Sequence, residues 1–190
     1  MKLFHIAMAG ALSLAAFAGS TISAAAADLL TIQLKDGPVV IQLMPEVAPK
    51  HVAQIEALAK KGAYDNVVFH RVIDGFMAQT GDVQYGNTTK GYNAGKAGTG
   101  GSDLPNLPAE FSKTPFTRGT VGMARAQDPN SANSQFFIMF ANGDFLNGQY
   151  TVVGKVVSGM ELVDKIKRGE GQNGEVSNPD KMIKVTVTKK

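Results

Sequence analysis

"FHRVIDGFMAQTGD", residues 69–82, covers most of two strand-like apolar runs, 67–73 and 76–80. Its oddity is Arg71. Alternation along the first run puts Phe69 and Ile73 on the same face as Arg71. A guanidinium does not lose its proton and is rarely buried without a partner. Either Asp74 or Asp82 pairs with Arg71, or the side chain reaches into a cleft to do chemistry.

Outward from this stretch the chain reads mainly as strands. "LLTIQLK" (29–35) and "VVIQLM" (39–44) flank Asp36-Gly37-Pro38 and predict a hairpin. "PEVAPKHVAQIEALAKKG" (45–62) predicts a helix: Pro49 suits a first turn, Val52, Ile55, Leu58 and Ala59 recur at helical spacing, and Gly62 suits the stop. Further strands are expected at 119–125, 134–140, 151–157 and 182–188, with a short helix over about 159–168. Residues 86–118 read as a long, polar, glycine-rich loop, and no linker or internal repeat divides the chain. Eight short strands with two helices predict a mainly β fold, a closed antiparallel barrel with helices over its openings.

The first 27 residues stand apart. Lys2, the apolar run "LFHIAMAGALSLAAFAG" (3–19) and the small-residue stretch "STISAAAA" (20–27) have the anatomy of a cleavable secretory signal. Cleavage is expected after Ala27, leaving residues 28–190 as the mature domain, periplasmic and without stable membrane association. An uncleaved anchor is disfavoured, because the apolar run is short for a span and is broken by His5. Removing residues 1–27 takes away Lys2 and no acid, so the net charge falls from +3 to +2. That excess is spread along the chain with no basic stripe, which argues against a nucleic-acid partner. The chain has no cysteine, which excludes disulfides, a thiol nucleophile, thiolate metal sites and lipid attachment after the apolar run.

Most familiar chemical motifs fail. "GYNAGKAGTGG" (91–101) lacks the G-x-x-x-x-G-K-S/T of a phosphate loop: Lys90 stands where its first glycine belongs, and Ala97 follows Lys96. Asp103 occupies the third glycine position of a dinucleotide fingerprint, and a flexible surface loop is the better reading. His51 and His70, the histidines left after cleavage, lie far apart without metal-ligand spacing, so structural roles are expected. Ser134 has no G-x-S-x-G context and reads as an ordinary strand residue. No metal or cofactor is expected.

What remains is Arg71 among apolar and amide residues, and here the chain resembles a family. "FHRVIDGFMAQTGD" and "NSQFFIMF" (133–140) resemble the signature segments of cyclophilins, the cyclosporin-binding peptidyl-prolyl isomerases. "GTVGMARA" (119–126), "DFLNGQYTVVGKVVSGMELVDKI" (144–166) and "DGPVVIQLMPEVAPKHVAQIEAL" (36–58) support the match, which runs from about residue 30 to 187. The resemblance implies an eight-stranded antiparallel barrel capped by two helices, in agreement with the strand count. With the leader, it implies an exported bacterial member.

Carried over residue by residue, the resemblance makes Arg71 the catalytic arginine. It places Phe76, Met77, Gln79, Ala124, Arg125, Gln135, Phe137, Phe145, Leu146 and Tyr150 in the substrate site. Ala124 and Arg125 match the segment whose backbone pairs with the substrate chain, and many relatives have asparagine at position 125. Phe145 stands where cyclosporin-sensitive members have tryptophan, and Tyr150 where many have histidine, so weak cyclosporin binding is expected. The implied partners are proline-containing unfolded or partly folded polypeptides, and the implied state is a monomer. Two other classes stay open at this point: a module that holds proline segments without turning them over, and a hydrolase, which the missing nucleophile–base motif disfavours.

Overall fold

The computed structural model describes residues 28–189. The expected signal segment, 1–27, lies outside the described residues. The first two strands, β1 (Leu29–Leu34) and β2 (Gly37–Leu43), form the expected hairpin, closed tightly by Lys35-Asp36 with Leu34 opposite Gly37. Alternation sends Leu30, Ile32 and Leu34, with Val39, Ile41 and Leu43, into the main core.

Helix α1 (Pro49–Lys60) follows, with Pro49 in its first turn. No side chain caps it locally. Instead Glu110, from the long loop, accepts hydrogen bonds from the Lys50 and His51 amides at 3.1 Å and from His51 Nδ1 at 2.7 Å. That carboxylate satisfies amides the helix leaves open and suits the positive end of its dipole. The other end closes on Gly62 at φ +66°: the Gly62 amide donates to the Ala59 carbonyl and the Ala63 amide to that of Leu58.

The remaining elements are β3 (Val67–Val68), β4 (Arg71–Ile73), β5 (Met77–Thr80), β6 (Thr120–Met123), β7 (Phe136–Met139), a 3-10 turn at Asp144–Leu146, β8 (Val152–Ser158), α2 (Met160–Val163), β9 (Lys181–Met182) and β10 (Lys184–Thr188). Eight strands make one antiparallel sheet in the order β10-β1-β2-β8-β6-β7-β5-β4. It does not close. The sheet curls through 195° and leaves its edges, β10 and β4, 19 Å apart, an open half-barrel rather than the closed barrel expected from the sequence.

The reason lies in two runs that read as single strands. Residues 67–73 break at Phe69-His70, and 182–188 break at Ile183; their outer pieces, β3 and β9, pair with each other as a separate ribbon. The free edge of β4 is then occupied by a loop. Val72 donates to Gly174 and accepts from Gly169, while Val176 donates to His70. With its ladder groups satisfied, β4 has no need of β10.

The second helix is also shorter than 159–168. After Val163 the chain tightens into i→i+3 bonds, and Arg168 Nη1 takes the Asp164 and Ile166 carbonyls. The Lys167 amide goes to Asp180 Oδ2, and the Gly169 amide to β4. Those captures leave no carbonyl ladder for further helix.

Strands β6 and β7 are buried on both faces. In β7, Phe136 and Ile138 enter the main core, whereas Phe137 and Met139 join a second cluster with Met77, Phe116, Leu146 and Val152. One sheet therefore separates two apolar bodies, and the smaller one floors a cleft.

Candidate active site

Strand register builds the site. Arg71 lies opposite Gln79, Gln79 opposite Phe137, and Phe137 opposite Gly122, so four strands contribute one transverse row. The adjacent row on the same face is Ile73, Met77 and Met139. The break at Phe69-His70 corrects one reading of the sequence. Phe69 turns into the main core, so Arg71 shares its outer face with Ile73 and not with Phe69.

Neither candidate acid reaches Arg71. Asp74 pairs with Arg168 Nε at 2.8 Å. Asp82 is fully buried and accepts the amides of Gln84, Tyr85, Gly98 and Gly100. Arg71 Nε instead donates to the Asn173 carbonyl at 2.9 Å, and Nη1 to Gln79 Oε1 at 3.3 Å. Nη1 also lies 4.0 Å from Met77 Sδ, and Nη2 has no acceptor among the described residues. Burial lowers the guanidinium pKa from its ordinary value, with the nearby Tyr150 opposing that shift. The group stays charged at any ordinary pH.

A relay of amides sets its direction. Gln135 Nε2 donates to the carbonyls of Gly98 and Gly100 at 3.0 and 2.7 Å, which turns Gln135 Oε1 toward Gln79. Gln79 Nε2 donates to that oxygen at 3.0 Å, which leaves Gln79 Oε1 to receive Arg71. Gln79 thus braces Arg71. The glycine-rich stretch is likewise more than a flexible surface loop, since Asp82 and Gln135 both anchor it.

Ten of the eleven expected residues line one cleft of about 480 Å³: Arg71, Phe76, Met77, Gln79, Ala124, Arg125, Phe137, Phe145, Leu146 and Tyr150. Gln135 lies in the neighbouring cleft of about 400 Å³, behind a ridge formed by Gln79, Ala124 and Arg125. Phe137 is held by Phe116, stacked at 5.7 Å, and by Tyr150, edge-on at 5.8 Å. Phe145 is 71% exposed and meets Phe76 at 5.5 Å on the rim. Sequence reasoning missed Gln149, Asn173 and Gly122. The first two act through backbone carbonyls, which carry no side-chain signal, and Gly122 is legible only once its register opposite Phe137 is known.

His51 bonds Glu110, and Ser134 Oγ donates to the Gly81 carbonyl inside the core. His70 is buried with neither ring nitrogen hydrogen-bonded, and burial pushes its pKa down to about 4. Among the described residues no group of three or more His, Asp or Glu could hold a metal ion. The arrangement sets a charged, partly free guanidinium beside an apolar floor.

Comparison with known proteins agrees. The family described as "Cyclophilin type peptidyl-prolyl cis-trans isomerase/CLD" matches residues 29–188. A probable peptidyl-prolyl cis-trans isomerase of Brucella suis is 62% identical over 98% of this chain and 97% of its own. Peptidyl-prolyl cis-trans isomerase B of Escherichia coli is 36% identical over 84% and 99%. Among solved structures, cyclophilin AquaCyp293 from Hirschia baltica superposes with TM-score 0.70 at 28% identity, covering 83% of this chain and 73% of its own. A Cryptosporidium parvum cyclophilin solved in the presence of the dipeptide Ala-Pro gives TM-score 0.68 at 25% identity, covering 85% and 99%. The chain belongs to the cyclophilin-type peptidyl-prolyl cis-trans isomerases and catalyses rotation about X-Pro bonds.

Proposed function

We propose that Arg71 accelerates this rotation by donating a hydrogen bond to the prolyl nitrogen while the apolar floor holds the proline ring. Conjugation with the carbonyl gives the peptide bond a barrier of about 18–20 kcal/mol. In the twisted transition state the lone pair returns to nitrogen, so a donor aimed there binds that state better than either planar one. The observation that carries the reading is a cleft-lining guanidinium that, among the described residues, has no carboxylate partner and leaves Nη2 uncommitted.

Arg71 does not suffice alone. A rate gain of about 10⁵ needs roughly 7 kcal/mol, whereas a charged hydrogen bond contributes about 1.5–3 kcal/mol. Phe76, Met77, Phe137 and Leu146 supply a wall that fixes the ring and disfavours the more polar planar amide. Gln79 and Gln135 keep the donor from swinging, and Ala124 and Arg125, on the cleft wall, are the segment assigned to pair with an extended substrate chain. Exchange NMR on an Ala-Pro peptide tests the mechanism: catalysis that survives removal of the guanidinium would refute it.

The leader supports export. In this reading residues 1–27 are removed, and a monomer starting at Asp28 assists the folding of proline-containing chains in the periplasm. Sequencing the N-terminus of protein from a periplasmic extract checks this: a chain still starting at Met1, or one confined to the cytoplasm, would refute it.

A further inference from the structure

Arg125 is the second cation of the cleft, and its setting differs from that of an ordinary surface arginine. Its guanidinium lies 4.5 Å over the Tyr150 ring. Nε and Nη2 donate to the Gln149 carbonyl at 3.3 and 3.1 Å, and Nη1 to the Ala126 and Gln127 carbonyls at 3.0 and 3.2 Å. All of these acceptors are neutral. The planar fork is held at both ends, one N–H of Nη2 is left over, and among the described residues no carboxylate pairs with the charge.

Position gives that charge a use. Arg125 lines both the 480 Å³ cleft and the 400 Å³ cleft beyond the ridge, and neither is lined by an Asp or Glu. Glu175 lines a smaller cavity on the other flank of Arg71 and makes no ion pair with it. An extended chain leaving the proline pocket across the ridge therefore passes two fixed cations. A carboxylate on that chain gains attraction without first ordering a long side chain of the enzyme, which is the usual cost of an exposed ion pair. A lysine there meets repulsion.

We propose that Arg125 makes this cleft selective for X-Pro segments that carry an aspartate or glutamate within two residues of the proline. The proposal rests on the reading that the 480 Å³ cleft is where the X-Pro bond turns over. Exposed pairs of this kind change affinity by about two- to fivefold. The preference depends on salt, because the Debye length falls from about 30 Å at 0.01 M to about 3 Å at 1 M.

The test uses peptides of one scaffold bearing Glu, Gln or Lys at each position flanking Ala-Pro, with kcat/KM measured by exchange NMR. The Glu-to-Lys ratio in wild-type protein is expected at about fivefold at low salt and near one at about 1 M. Arg125→Lys, which keeps the charge and loses the fork, retains the ratio, and Arg125→Gln lowers it. Each ratio is taken within one protein, so lost activity or partial unfolding cancels. If Arg125→Gln does not fold, the wild-type salt series and Arg125→Lys still decide. Equal rates for the three peptides on wild-type protein would overturn the selectivity alone, as would a ratio unchanged in Arg125→Gln. Failure to turn over any of them would overturn the site assignment as well.

Discussion

Arg71 and Gln79 are cross-strand partners joined by a 3.3 Å hydrogen bond in which the acceptor is a neutral amide. Neutrality matters, because a carboxylate in that place would hold the guanidinium as an ion pair. Gln79→Glu, nearly isosteric, would hold Arg71 in an ion pair and set a carboxylate oxygen against Gln135 Oε1, so kcat/KM is expected to fall by about tenfold or more with no gain in melting temperature. Calorimetry and peptide exchange on the same sample check it. Undiminished activity would mean that Gln79 does not orient the donor.

Arg71→Ala removes the donor itself. The side chain is half-buried and bonds a backbone carbonyl and an amide, with no ion pair among the described residues, so the variant is expected to stay folded. Activity is expected to fall on the order of 10- to 150-fold, the equivalent of about 1.5–3 kcal/mol, with an unchanged circular dichroism spectrum. Unfolding of the variant would assign Arg71 to structure instead.

The site was more legible than the fold because its residues fall in segments that resemble the cyclophilin signatures. Phe76, Met77, Phe137 and Leu146, grouped by that resemblance, line one cleft. Barrel closure was not legible, since it turns on Phe69-His70 and Ile183, where the runs 67–73 and 182–188 look continuous yet each divides between two sheets. Nothing in local propensity marks those breaks, which arise from partners more than a hundred residues away. The brace on Arg71 was hidden for the same reason: carbonyls at Asn173, Gly98 and Gly100 have no signature in the sequence.

Gly122 shows how tightly the floor is set. A Cβ there would come within 2.6 Å of both the Phe116 and Phe137 rings. Gly122→Ala must push Phe137 toward the cleft or strain the stacked pair, at a cost of about 1–3 kcal/mol typical of overpacking. The expected result is a lower melting temperature together with a KM raised several-fold. Wild-type values for both would show that Phe137 yields without narrowing the proline pocket.

Titration separates catalysis from stability. Arg71 stays charged and His70, pushed down by burial to about 4, stays neutral, so kcat/KM is expected to be flat from about pH 6 to 9. Stability behaves otherwise. The unfolded chain protonates His70 near 6.5 and the folded chain only near 4, so folding excludes a proton between those values. The stabilisation is present above about pH 6.5 and is lost as pH falls from 6.5 toward 4, amounting to roughly 3 kcal/mol. Urea unfolding of wild type and His70→Gln between pH 7 and 5 checks the sign: the slope should shrink in the variant. A bell-shaped activity profile would place His70 in the chemistry.

Phe145 is expected to bear on inhibitor binding more than on turnover. It is 71% exposed on the rim, where it touches Phe76 at 5.5 Å and lies outside the row formed by Arg71, Gln79 and Phe137. The tryptophan of cyclosporin-sensitive relatives adds contact area and an indole N–H, and phenylalanine keeps only part of the apolar wall. A hydrogen bond to a neutral partner contributes about 0.5–1.5 kcal/mol, and the lost area adds to it, so a deficit of about tenfold is expected. Phe145→Trp should tighten cyclosporin by about that factor while changing peptide isomerisation less than threefold. Calorimetric titration alongside inhibition measures both. Equal affinities would mean that the drug does not reach this rim. A large loss of isomerase activity would show that the Phe76–Phe145 contact shapes the proline pocket itself, because Phe145 packs on Phe76 and both line the cleft.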